Sequence, residues 1–191
     1  VPVGHPDFVS CHEWCSEELM AAAGVRLDVM DIRYVIPVAD TMINEKLYEY
    51  KGYITRRLHG SPKYSYHVHD SFRGWMSYNG PGRRNLFEDG LAIVLVEDQM
   101  SACRIGQCGH IGIAMFGAKH SIEKVHEIVK FYGPSPRYVV WYDNDNEQVN
   151  NAARITHEYI KLLGPRANLS LNKTEPKHMT TTQILEELNS W

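Results

Sequence analysis

Apolar residues in the second half of the chain come in short unbroken runs separated by longer periodic stretches. Residues 91–96 (Leu-Ala-Ile-Val-Leu-Val) are continuously apolar, the pattern of a strand buried on both faces. Residues 112–116 and the aromatic, β-branched run 138–142 (Tyr-Val-Val-Trp-Tyr) also read as strands, and a short strand is expected near 167–171. Between them the spacing becomes helical. One helix begins across 100–105, and one over 121–132 places Ile122, Val125, Ile128 and Val129 on one face. A third runs from about Glu147 to Leu163, stopped by Gly164-Pro165, and a last one starts near Thr182. Strands alternating with helices predict an α/β fold, a parallel sheet flanked by helices.

The first half has another texture. Ser16, Glu17 and Glu18 open a short helix that Gly24 ends. Residues 34–39 read as a strand that Pro37 confines to an edge, and the tyrosine-rich 46–58 as a longer strand or hairpin. From Lys51 through Phe87 the only acid is Asp70, against Lys51, Arg56, Arg57, Lys63, Arg73, Arg83 and Arg84. Tyr64, Tyr66, Phe72, Trp75 and Tyr78 are interleaved with these bases. Positive charge gathered with aromatics points to a strip for single-stranded nucleic acid or nucleotide phosphates. The alternative is a solvated, loop-rich face whose aromatics pack on the core. The turn-rich 77–84 marks a junction, giving a smaller mixed α+β basic subdomain over 1–85 and the α/β domain over 86–191.

Composition changes this little. At 191 residues and 43% hydrophobic content the chain can bury one good core, with or without a small satellite. A formal net charge of −3 excludes nothing. The absence of a long apolar stretch or a secretory signal, with four cysteines, gives the expectation of a soluble, cytoplasmic protein without membrane contact. Val1 in place of an initiator methionine points to a piece of a longer polypeptide. His5, Cys11, His12 and Cys15 lack the paired spacing of a zinc ribbon, so zinc is not expected. Cys103, Cys108 and His110 read as core and turn residues.

The candidate chemistry lies where the strands end. After the 138–142 run come Asp143, Asn144, Asp145 and Asn146. Two carboxylates two residues apart share a side if the strand continues through them, and their mutual repulsion is relieved by Mg²⁺ or Mn²⁺. Alternatively, Asp143 or Asp145 caps the following helix. Glu97 closes the 91–96 run, and functional groups of parallel sheets gather at the carboxyl ends of the strands. Glu97, Asp143 and Asp145 are therefore expected to converge.

Apolar strand, Glu, helix, then apolar strand, Asp-x-Asp, helix resembles the Toprim domain of primases, type IA and II topoisomerases and some nucleases. Within that group the chain is similar to the catalytic core of bacterial replicative primases and of phage primase–helicases. Residues 115–121 (Met-Phe-Gly-Ala-Lys-His-Ser) match the family's turn after the second strand, and 61–64 (Ser-Pro-Lys-Tyr) its Pro-Lys-Tyr segment. Residues 174–179 (Thr-Glu-Pro-Lys-His-Met) resemble its late Lys-Asp-Pro-x-Asp run. The family's Glu-Gly and the acid four residues on are replaced by Glu97-Asp98 and Ser101, and its late Asp by Glu175. The family's amino-terminal zinc ribbon and carboxy-terminal helicase are both missing from this sequence, which suggests either a fragment or a stand-alone core.

The resemblance implies a DNA primase of phage or bacterial type, a nucleotidyltransferase making RNA primers on a single-stranded DNA template from ribonucleoside triphosphates. It implies Mg²⁺ or Mn²⁺ at Asp143 and Asp145, with Glu97 completing the metal site or acting as general base. Arg56, Arg57, Lys63 and Tyr64 would face template or triphosphate, Lys119 and His120 would contact phosphates, and a replicative helicase is a further partner. A Toprim nuclease using the same acids, and a non-catalytic nucleic-acid-binding domain, are the alternatives.

Overall fold

The computed structural model describes residues 1–60, 62–80, 90–119 and 121–191. Ser61, His120, Arg83, Arg84, Phe87 and the expected 85/86 junction lie outside the described residues.

Ser16 accepts the Leu19 N–H and starts helix α1 (Glu17–Ala22), which leads into strand β1 (Arg26–Asp28). Strands β2 (Arg33–Ile43) and β3 (Lys46–Arg57) form a long antiparallel hairpin. Its two connecting residues, Asn44 and Glu45, both have positive φ, the backbone that matches strand twist in a two-residue turn. Strands β4 (Tyr64–Val68) and β5 (Met76–Asn79) complete the first half. The second half follows as β6 (Ala92–Val96), α2 (Gln99–Gln107), β7 (Ile111–Ala114) and α3 (Ile122–Tyr132). It continues through β8 (Arg137–Val140), α4 (Glu147–Leu162), β9 (Ala167–Leu169), a 3₁₀ turn (Pro176–His178) and α5 (Thr181–Leu188).

Among the described residues, the nine strands form one sheet in the order β4-β3-β2-β5-β7-β6-β8-β9, with β1 added beside β2. Strands β7, β6, β8 and β9 are mutually parallel, as the alternation of strands and helices requires. Alternate residues of β6 supply two cores. Ala92, Val94 and Val96 pack with α1, α2 and α5, while Ile93 and Leu95 pack with α3 and α4. Helices thus flank the sheet on both faces, the architecture expected from the sequence.

Two local expectations are corrected. Ser77–Asn79, read as part of a turn-rich stretch, belongs to β5, a buried strand that joins β2 to β7. The four-residue strand is too short to show a period. Pro37 does not mark an edge strand, because β2 is internal. It pairs with Tyr53 of β3, and on its other side it sits where β2 has paired with β1 as far as Val35 and has not yet met β5 at Thr41, a gap that sets no strand against its missing N–H on that side. Cys103 and His110 are buried and Cys108 caps α2, so these three are the core and turn residues expected. No helix among the described residues is long and apolar enough to cross a membrane.

Candidate active site

The parallel strands deliver acids to one edge. Glu97 and Asp98 follow β6, Asp143 follows β8, and Glu175 follows β9 as the residue before the 3₁₀ turn. One carboxylate oxygen from each of Asp98, Asp143 and Glu175 lies within 4.8 Å of the others, the spacing of a group that could hold a cation. Hard oxygen donors of this kind suit Mg²⁺ or Mn²⁺.

Each acid is held differently. Asp98 caps α2, accepting the Ser101 N–H at 2.9 Å and the Ser101 hydroxyl at 3.1 Å. Glu97 accepts the backbone N–H of Asp143 at 2.8 Å, which ties the ends of β6 and β8 together. Burial pushes the Glu97 carboxyl up to about 7, against that hydrogen bond and with help from Asp98, Asp145 and Glu175. Asp143 is driven in the same direction by burial and by the Glu175, Glu97 and Asp98 charges. Neither Asp143 nor Asp145 caps α4. Asn146 does, accepting the Val149 N–H at 3.0 Å, so neither aspartate is spent on that cap. Lys177 donates to Asp98 at 3.1 Å and is ion-paired with Glu175. Burial opposes its charge, but the two carboxylates outweigh it and hold Lys177 well above the ordinary lysine range.

These acids form one wall of a cleft of about 670 Å³. The opposite wall comes from β3 and β4, where the antiparallel register sets Arg56 beside Tyr64 and Ile54 beside Tyr66, all lining the cleft. Arg56 is almost wholly buried, with its guanidinium 4.7 Å from the Trp14 ring and its Nε donating to the Tyr64 hydroxyl at 3.3 Å. Its Nη1 is buried without a hydrogen-bond partner, a donor held at the cleft wall. Lys63 lies beside Tyr64, its ammonium 5.8 Å from the ring centroid. The floor near Glu97 is the turn after β7, where Phe116 takes a φ of 59° and Gly117 donates its N–H to the Glu97 carbonyl at 3.0 Å. A bulky residue with positive φ is uncommon and marks a constrained turn.

The structure therefore brings Glu97, Asp143, Asp145, Arg56, Lys63 and Tyr64 to one cleft. Arg57 is not with them. Strand alternation sends it to the opposite face of β3, in register with Arg33 of β2. Lys119 lies at a separate groove between α3 and α4. Trp75 and Tyr78 are buried in the core rather than aligned along a strip. Arg73 packs 3.2 Å from the Trp75 ring centroid and donates to the Asp40 carbonyl of β2 at 2.6 Å, so it ties the loop before β5 to that strand. Asp98, Glu175 and Lys177 were not singled out as site residues by the sequence, although the first and second occupy the positions where the family motifs differ.

Fold and cleft together define an α/β protein with an acidic centre at the carboxyl edge of a parallel sheet, facing a basic, aromatic wall. No protein-family model and no curated protein matches the sequence. Solved structures do match the fold. The DnaG primase catalytic domain bound to ssDNA aligns at TM-score 0.61 and 14% identity, over 96% of this chain and 71% of that one. The zinc-binding and RNA polymerase domains of Aquifex aeolicus primase align at TM-score 0.58 and 18% identity, over 83% of this chain and 40% of that chain. A DNA primase domain from Pseudomonas aeruginosa aligns at 0.52 and 15%, over 92% and 56%. The chain thus spans well under two thirds of the Aquifex and Pseudomonas chains, and it has the fold of primase catalytic cores.

Proposed function

We propose that the protein is a DNA primase catalytic core, making RNA primers on single-stranded DNA by metal-dependent nucleotidyl transfer. The observation that carries this is the cleft itself, with carboxylates from three parallel strand ends on one side and Arg56, Lys63, Tyr64 and Tyr66 on the other. A nuclease would use the same acids and hold a strand, whereas a polymerase must hold a triphosphate beside its template, a larger demand for positive charge and ring faces. A structural neighbour solved with ssDNA supports single-stranded DNA as a ligand.

Asp98, Asp143 and Glu175 would hold Mg²⁺ or Mn²⁺, which when bound supplies positive charge at the reacting phosphate and makes a 3′-hydroxyl more acidic. The fit is electrostatic as well as geometric, since burial and the crowded acids make the Asp143 charge costly without a counterion. Glu97, pushed up to about 7, can take and release a proton near neutral pH, as a general base must. Its hydrogen bond to Asp143 holds it against the acidic centre. Asp145 stands exposed on the same lip. Arg56 and Lys63 provide positive charge for template or triphosphate, and Tyr64 and Tyr66 offer ring faces on which bases stack.

The test is template-dependent incorporation of ribonucleotides on single-stranded DNA with Mg²⁺ or Mn²⁺, comparing wild type with Asp143→Asn/Asp145→Asn. RNA product from the wild type and none from the variant is expected. Cleavage of the strand in the absence of nucleotides, with no primer made, would identify a nuclease instead. DNA binding that survives loss of the acids, with no reaction of either kind, would identify a binding module.

A further inference from the structure

A base sits inside the acidic cluster. Lys177 follows Pro176 in the 3₁₀ turn that Glu175 opens, and its side chain is 10% exposed. Its ammonium lies 3.1 Å from Asp98 Oδ2 and pairs with Glu175. Asp98 and Glu175 are two of the three carboxylates whose oxygens could hold a cation, so Lys177 already draws on two thirds of the ligand set.

Lone-pair counting sharpens the conflict. A carboxylate offers about four acceptor positions. Asp98 spends one on the Ser101 N–H, one on the Ser101 hydroxyl and one on Lys177, the last two at the same oxygen. Little of Asp98 is left for a metal while the lysine is in place. Charge sets the same competition. Glu97, Asp98, Asp143, Asp145 and Glu175 line the cleft beside Lys177, whose ammonium neutralises part of the negative charge that a divalent ion would otherwise meet.

We infer that Lys177 is a built-in cation that occupies one half of the acidic centre, so that the site takes a single divalent ion beside a tethered ammonium. This rests on reading the cleft as a metal-dependent centre. A lysine is a compact charge on a flexible stem, able to neutralise phosphate oxygens but not to act as a Lewis acid. It would also keep Asp98 and Glu175 together when no metal is bound.

The experiment is Mn²⁺ binding by electron paramagnetic resonance and calorimetry on the whole chain, for wild type, Lys177→Met and Lys177→Arg, with thermal melts in EDTA and in saturating Mn²⁺. The wild type and Lys177→Arg are expected to bind one Mn²⁺. Lys177→Met should bind two, or bind one at least tenfold more tightly. It should also melt lower in EDTA and recover more on Mn²⁺ addition than the wild type does. If Lys177→Met binds Mn²⁺ with wild-type stoichiometry and affinity, the inference is overturned, and any loss of stability then marks an ordinary ion pair. Wild type binding no Mn²⁺ while Lys177→Met gains a site would overturn the single-ion inference together with the metal-dependent reading on which it rests. Should Lys177→Met not fold in EDTA, folding restored by Mn²⁺ supports the inference and folding not restored overturns it.

Discussion

Asp143→Asn should stabilise the metal-free protein while removing its response to metal. Asp143 is half-buried and faces Glu97, Asp98 and Glu175, so its carboxyl is held well above the ordinary value of 3.8. A carboxyl whose folded pKa is raised keeps its full stability contribution below the unfolded pKa and loses it as pH rises through the folded value. The metal-free wild type should therefore lose stability between about pH 4 and pH 8. Glu97, raised from 4.5 to about 7, adds to the loss over the same window. An isolated group forfeits about 1.4 kcal/mol per pH unit there. Partial exposure to water and the nearby Lys177 charge reduce this, and we take about 1–2 kcal/mol at pH 8 for Asp143.

Asparagine keeps the backbone N–H that donates to Glu97 and removes only the charge. At this chain length about 1–2 kcal/mol is a rise of about 2–8 °C in melting temperature. In EDTA at pH 8 the variant should melt higher than wild type, with the gap closing toward pH 4. In Mg²⁺ the order should reverse. A metal at a hundred times its Kd adds about 2.7 kcal/mol to the protein that binds it and nothing to the one that does not. Calorimetric melts across pH, with and without Mg²⁺, read both effects. A variant less stable than wild type at pH 8 in EDTA, or a gain that does not grow with pH, would refute the electrostatic account.

Glu97→Gln keeps an acceptor for the Asp143 N–H but cannot take a proton, so primer synthesis should fall by about 10²-fold or more, with DNA affinity within about twofold. Equal losses in both, measured side by side, would make Glu97 a binding or structural residue. Arg56→Ala should weaken single-stranded DNA binding and flatten its log–log salt dependence by about 0.7, while Arg57→Ala, on the far face of β3, leaves both unchanged. Identical effects of the two substitutions in salt titrations would count against the cleft as the DNA path. Tyr64→Ala should cost about 1–3 kcal/mol of DNA binding with the salt slope intact, and a changed slope would show that its role is not stacking. A Cβ on Gly112 would stand 2.0 Å from the Ala102 carbonyl oxygen, so Gly112→Ala must push α2 off β7 at a cost of about 1–3 kcal/mol. An unchanged melting temperature would contradict that packing.

Much of the fold was legible because the second half is written in strong periods. The 91–96 run and the helical face of 121–132 each extend far enough to display their pattern, and both appear where expected. What escaped was short or depended on neighbours. β1 has three residues and β5 four, and β5 is a strand because β2 and β7 flank it, not because Met-Ser-Tyr-Asn favours one. Pro37 argues for an edge only where a neighbour would use its N–H, and the gap between β1 and β5 removes that condition.

The site divides along the same line. Glu97 and Asp143 were legible because position at the end of a buried parallel strand is itself the functional signal. Arg56 and Arg57 could have been separated from the sequence, since a strand over 46–58 must send adjacent residues to opposite faces. Asp98 is harder. Asp-x-x-Ser before a helix is sufficiently explained as a cap, and Asp98 is one. Its second role depends on Lys177, 79 residues away, entering from the turn after β9. A residue that satisfies a local rule gives no sign of a distant partner, so the cap conceals the site. The same holds for Lys177, which in sequence is one base among twenty and in the fold is the charge set among the acids. The acids of such a centre can be read from strand ends, but the lysine that pairs with two of them arrives from another loop, and only the fold shows it.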